Sequence, residues 1–362
     1  MRIKVPAYYS KFRCVGGSCA DNCCIGWGVE IDEDTEEKYK KLGGCIGERI
    51  RKNITPSSEK EPACFKAKGD GKCPFLNGEG LCDIIISSGE DMLCDICKRH
   101  PRYFTQVDDF AEGGIGLCCL TAAKIILNGS ERDFIQRRKA LPYKLENELG
   151  MLPMITEKEL ISFKDRLLSR VIKKDVSSSE ALYLALENAE LLMRYIDFAS
   201  DPDMPCEDIP DFCGGFSDKI GVVALDLIEK LAECEMIDEG YNNELTYAIL
   251  HLKKKDEGLG EYLSGEFAPY FKRLLWYFVH RYFTEGLVDC SVGVRLKLGA
   301  VYALAVGAIC FSKGATSLSD IAEISKNFSK NIEYSEENTE KNISDMYSYY
   351  LFTKENLNKI FS

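Results

Sequence analysis

From about residue 131 onward the hydrophobic positions recur every three to four residues, the period of a helix that buries one face. The clearest stripe is in Ile220 to Glu233, where Ile220, Val223, Ala224, Leu227, Ile228 and Leu231 share one side. Ser178 to Phe198 and Glu244 to Leu252 read the same way. Pro202, Pro205 and Pro210, followed by Gly214-Gly215, break the chain between helices. A very aromatic helix opens at Pro269, proline being well placed in a first turn. Its Tyr270, Trp276 and Tyr277, with Tyr282, are read first as core packing. Leu298 to Phe311 is apolar throughout but short of the roughly 20 residues that span a membrane, and so predicts a buried helix. Ile324 to Phe361 is charged and predicts helix on the outside.

The first 125 residues are patterned differently. Trp27 to Asp32 alternates apolar and polar residues, the mark of a short half-buried strand. Thr35 to Leu42 is helix-like and stops at Gly43-Gly44. Residues 53–72 are polar and predict a loop, and Gly113-Gly114-Ile115-Gly116 predicts a turn. In Cys73 to Cys82 two apolar segments flank Asn-Gly, which predicts a hairpin with a cysteine at each end. Leu120 to Leu127 is an apolar helical stretch. The expected fold is therefore mainly α: a cysteine-rich domain of short strands and turns over 1–125, then a multi-helix domain over 126–362.

Charge narrows the function. The net charge of −12 and the lack of a long basic run argue against nucleic acid as a partner. The opening MRIKVPAYYSKF has no apolar core of a secretory signal, so a soluble, cytoplasmic protein with no membrane partner is expected.

Cysteine changes the picture most. Twelve of the 17 cysteines precede residue 120, and four of them (Cys14, Cys19, Cys23 and Cys24) fall within one turn-rich stretch. Cys206, Cys213, Cys234, Cys290 and Cys310 are scattered and read as core or loop residues. A disulfide framework would need an oxidising compartment, so metal ligation is the stronger reading. Cys94-Asp95-Ile96-Cys97 alone is a weak signal, but with the four-cysteine loop, the cysteine-ended segment and Cys118-Cys119 the set is strong. Thiolates in fours suit tetrahedral zinc or an iron–sulfur cluster, and spacing does not choose between them. With only His100, His251 and His280 in the chain, mixed histidine sites are disfavoured. The run Lys98 to Arg102 is read as a solvated turn, with the sharper alternative that Lys98 or Arg102 offsets a thiolate-bound metal's charge.

These motifs resemble the flagellin lysine N-methylases, whose N-terminal part belongs with the zinc- or iron-chelating CxxCxxCC-type proteins. The resemblance runs through Pro6 to Asp32, Cys73 to Cys82, Gly89 to Arg102, Cys119 with Ala122-Ala123, and SKNIEYSEEN at Ser329 to Asn338. It places the family's cysteines at Cys14, Cys19, Cys23, Cys24, Cys73, Cys82, Cys97 and Cys119, the implied ligands of zinc or a 4Fe-4S cluster. Three departures stand out: His100 and Tyr334 replace the family's tyrosine and histidine, and Leu120-Thr121 replaces Pro-Glu. The resemblance implies methyl transfer to flagellin lysines from S-adenosylmethionine. The residues themselves contain neither a strand–GxGxxG–helix unit nor the cysteine triplet of radical S-adenosylmethionine enzymes, and they name no catalytic group. The competing class is a metal-chelating protein without methyltransferase activity.

Overall fold

The computed structural model describes residues 2–26, 28–59, 61–107, 110–129, 134–138, 157–198, 212, 214–236 and 238–362, with the side chains of 134–138 and 239 left aside. Trp27, Cys206, Cys213 and the three prolines between 202 and 210 lie outside the described residues. The fold is mainly α, with few and short strands. Two compact units divide the chain: Phe12–Tyr103, and Met1–Lys11 with Phe104–Ser362. The expected boundary near residue 125 falls inside the larger unit. The reason is strand pairing, since Arg2–Pro6 lies between Phe110–Ile115 and Phe134–Arg138 in a four-stranded sheet.

In that sheet Arg2–Pro6 pairs parallel to Phe110–Ile115, with Ile3 opposite Ala111 and Lys4 opposite Glu112. The two-residue repeat of a strand sends Ile3 and Val5 to one face, where they pack with Ala111. Lys4 and Glu112 are buried as well, and ion-pair at 3.2 Å. Lys164, from the helix Glu157–Val171, bonds to the same Glu112 and lies 3.0 Å from the Thr284 hydroxyl. Asp165 pairs with Lys4, so two lysines meet two carboxylates, the condition for burying such charge without a large penalty. The glycines at 113 and 114, expected in a turn, are strand residues, and the Gly113 carbonyl lies 3.2 Å from His280 Nε2.

The helices of this unit follow the hydrophobic repeat. Ile220–Leu231 buries every residue of its apolar stripe. Ser178–Leu192 starts on a Ser177 side chain that accepts the Glu180 amide, and ends in a π-turn, Met193–Asp197. Ala268–Asp289 and Val292–Ser312 form the centre. Val292–Ser312 is long and apolar enough to cross a membrane, but it is buried within the unit, as a core helix is. Trp276, Tyr277 and Tyr282 are buried as core residues. The C-terminal stretch is not the outer layer its charges predicted: Ser325, Ser329, Asn331, Glu333, Asn338 and Asn342 are all buried. Their polar groups bond to one another, to backbone, and to the Tyr277, Arg281 and Tyr302 side chains.

The smaller unit holds a three-stranded sheet, Glu30–Ile31, Ala63–Phe65 and Ile54–Thr55 in that order. Two of these strands lie where a loop was expected over 53–72. Its core gathers Ile31, Tyr39, Ile50, Phe65, Phe75 and Ile84 around the buried Cys94.

Candidate functional site: a thiol centre and a buried carboxylate

The thiol centre is assembled by backbone bonds from three motifs. The Cys73 amide donates to the Cys24 carbonyl at 2.8 Å, which lays the N-terminal cysteine loop beside the next motif. Asn22 fixes that loop, accepting from the Cys24 amide at 2.9 Å and donating to the Gly80 carbonyl at 3.2 Å. Between Cys73 and Cys82 the chain makes a turn around Asn77, closed by a single Leu76–Cys82 bridge in place of the longer hairpin expected. Arg49 clamps this turn, donating to Asp83 and to the Pro74 carbonyl, both at 2.6 Å.

Asp32 joins the third motif. One carboxylate oxygen accepts from the Thr35 amide at 2.9 Å and caps the helix Glu33–Lys41; the other accepts from the Asp95 amide at 2.8 Å. Asp95 opens the short helix that carries Cys97, with Cys94 just before it. Burial alone would raise the Asp32 carboxyl, but these amide donors bring it below its usual value.

Cys24, Cys73, Cys82, Cys94 and Cys97 are thereby brought within one another's electrostatic reach. The closeness of Cys94 and Cys97, with burial, pushes the Cys97 thiol up, while the adjacent Cys97 holds Cys94 down. Cys14, Cys19 and Cys23 form a more open group: Cys14 and Cys23 are exposed, and Cys19 donates to the Asp21 carbonyl at 3.0 Å. Cys119 stands in the larger unit. Cys94, absent from the ligand set that the resemblance implied, is buried among the inner thiols. Lys98 is exposed, and Arg102 stacks over Phe12 with its guanidinium carbon 5.0 Å from the ring centre.

As donors, five partly dry sulfurs suit a soft metal or cluster. The described cysteines are all free thiols. Among the described residues no three His, Cys, Asp or Glu side chains converge tightly enough to hold a metal ion. The fit is one of donor chemistry.

The second centre lies in the larger unit, where the SKNIEYSEEN motif meets the turn before Cys119. Ser329–Glu333 is a π-turn, a form often found at functional sites. Glu333 is fully buried, accepts from the Tyr277 hydroxyl at 2.7 Å and from Ser329, and lies 3.4 Å from Arg281 Nε. Burial raises its carboxyl, against the opposing pull of Arg281. Tyr277 in turn accepts the Leu117 amide at 3.2 Å. Tyr334 lies beside Cys118 and so close to Gly116 that an added Cβ there would meet its hydroxyl at 2.0 Å. Asn338 brackets the loop at Glu235, accepting its amide at 2.9 Å and donating to its carbonyl at 2.7 Å. Thus Glu333 and Tyr334 hold the Gly116–Cys119 turn from two sides, while Asn338 holds the loop near residue 235.

Lysine-N-methylases of Salmonella typhimurium and Salmonella choleraesuis are each 28% identical to the chain over 147 residues. Over that stretch the chain is similar to lysine-N-methylases. The aligned part is 36% of the chain and 35% of each methylase, so the match spans about a third of their length. The flagellar biosynthetic protein FliU of Salmonella muenchen is 26% identical over 144 residues, 37% of the chain and 82% of FliU. The family resemblance read from the motifs is thus matched by named relatives. No family model and no solved structure matches the chain.

Proposed function

We propose that this chain is a protein-lysine N-methyltransferase that acts on flagellin in the cytoplasm, with S-adenosylmethionine as methyl donor. The observation that carries the reading is its relation to two lysine-N-methylases and to a flagellar biosynthetic protein. In the same reading the smaller unit holds zinc or an iron–sulfur cluster through Cys24, Cys73, Cys82, Cys94 and Cys97. A bound metal would tie together three motifs otherwise joined by a few hydrogen bonds, and structural zinc contributes on the order of 10 kcal/mol to folding of small domains.

The chemistry sets one requirement. A free lysine has a pKa of about 10.4, so at neutral pH it is an ammonium with no lone pair for a methyl group. An enzyme must desolvate it or place a base beside it. Glu333, a buried carboxyl raised above its ordinary value, is a group of that kind.

The test incubates the purified protein with S-adenosylmethionine and flagellin from the same cell. A mass gain of about 14 Da per added methyl on lysine is the expected outcome, the charge being kept. Unmodified flagellin with the metal content intact would return the chain to the metal-chelating class.

A further inference from the structure

One feature of the larger unit is left unexplained by packing. In the aromatic-rich helix Ala268–Asp289, Tyr277, Arg281, Glu285 and Asp289 recur every fourth residue and so share one face. They form a continuous polar seam. Arg281 pairs with Glu285 at 3.0 Å and approaches Glu333 at 3.4 Å, and Arg295 pairs with Glu285 at 3.0 Å and with Asp289 at 2.5 Å. Side-chain exposure falls inward along it: 44% at Asp289, 25% at Glu285, 16% at Arg281 and zero at Glu333.

Among the described residues, three carboxyl groups along this seam face two guanidiniums. A second, independent observation lies at the inner end. The Tyr282 hydroxyl, on a side chain 1% exposed, has no hydrogen-bond partner among the described residues. It lies within the fields of Glu333, Arg281 and Glu285. A buried hydroxyl without a partner is unfavourable, so a group that completes it is favoured there. The Tyr282 ring stacks on Phe278 at 6.5 Å and meets Tyr302 edge-on at 5.7 Å, so aromatic surface flanks the same place. A carboxylate, a hydroxyl acceptor and aromatic surface together suit an ammonium group, and the aromatic surface also suits its methylated forms.

We propose that the inner end of this seam, between Glu333 and Tyr282, binds a primary ammonium, the side chain of the substrate lysine. This rests on the methyltransferase reading and names the substrate subsite within it. The reaction balances as follows. The ammonium gives one proton to the Glu333 carboxylate and becomes an amine. The amine lone pair then forms the new N–C bond to the methyl of a sulfonium donor, S-adenosylmethionine, as the C–S bond breaks and its electron pair stays on sulfur.

The experiment uses the full-length protein and n-butylammonium chloride as a probe of the lysine side chain, with binding followed by calorimetry. Methyl transfer to flagellin is measured in parallel. Tyr282→Phe removes only the hydroxyl and keeps the ring, while Glu333→Gln keeps the shape and removes the base. If the site is as proposed, Tyr282→Phe weakens butylammonium binding about tenfold and raises KM for flagellin by a similar factor, with the melting temperature held. Glu333→Gln lowers kcat and makes it less dependent on pH between 5 and 8. Wild-type protein that does not bind the amine overturns the proposal, as does a folded Tyr282→Phe variant that binds it unchanged. Should flagellin stay unmodified while amine binding is present and lost in Tyr282→Phe, the ammonium site stands and the methyltransferase reading falls. If Glu333→Gln fails to fold, the Tyr282→Phe comparison decides alone.

Discussion

Asp197 ends the π-turn Met193–Asp197 and accepts the amides of Gly293 at 2.8 Å and Val294 at 2.7 Å, the first turn of the core helix Val292–Ser312. It also accepts the Tyr347 hydroxyl at 3.1 Å. The helix can come this close because residue 293 is glycine: a Cβ there would meet the Met193 amide nitrogen at 2.3 Å. Burial raises the Asp197 carboxyl to about 6 from its ordinary 3.8, the amide donors and Tyr347 only partly opposing it, with Asp289 adding repulsion. Between those values the folded protein holds a proton that the unfolded chain has released. Stability from this group is therefore fully present below pH about 4 and is lost as pH rises through 6. The shift corresponds to about 3 kcal/mol at about 1.4 kcal/mol per pH unit. Asp197→Asn cannot titrate but keeps an amide oxygen to accept from the helix. Urea denaturation of both proteins at pH 4.5 and pH 7.5 isolates the term, because every other titrating group is common to both. Relative to wild type, the Asn variant should gain about 2 kcal/mol between the two pH values, since at pH 4.5 the unfolded carboxyl is already largely ionised. A stability difference that does not change with pH would refute the reasoning.

Gly116→Ala should destabilise by roughly 1–3 kcal/mol through overpacking against Tyr334, and Tyr334→Phe in that background should recover part of the loss in a thermal melt. Asp32→Ala removes the acceptor for two amides and should cost about 2 kcal/mol in urea, with Asp32→Asn roughly half as harmful. On the proposed metal reading, Cys94→Ser should lose metal and soluble yield together, whereas Cys45→Ser, an exposed thiol, should lose neither by elemental analysis. Equal metal content in the two variants would remove Cys94 from the ligand set.

The helices were legible because a buried stripe repeats with the period of the backbone, as Ile220 to Leu231 does. Short elements were not. Ile54, Ala63 and Phe65 are the buried residues of strands only two or three residues long, too few for an alternation to stand out from the polar sequence around them. The charged C-terminal stretch was misplaced for another reason. Composition reports that Asn331, Glu333 and Asn338 are polar, but not that Asp238, Tyr277 and Glu235 supply the matching bonds from 56 to 103 residues away. Cys94 was readable as half of a C-x-x-C pair, but the family pattern gave weight to Cys97 alone. The polar seam also had a signal in the sequence: Tyr277, Arg281, Glu285 and Asp289 recur at intervals of four within an aromatic helix. That spacing marks a polar face as leucines at the same interval would mark an apolar one.

The sheet has a consequence for how the chain comes to be folded. Arg2–Pro6 is synthesised before its partners Phe110–Ile115 and Phe134–Arg138, which follow it by more than 100 residues. Lys4 must wait longer still, for Glu112 and Asp165. Phe12–Tyr103, by contrast, is one unbroken stretch whose contacts are all available once it has left the ribosome. Domains fold as units while synthesis proceeds, and distant pairings are slow. The cysteine unit is thus placed to fold, and to take up any metal, while the strand before it is still single. Closing the sheet then becomes a late step that joins the two ends of an already folded insertion, and an early-formed cysteine unit shortens the floppy loop that this step must close.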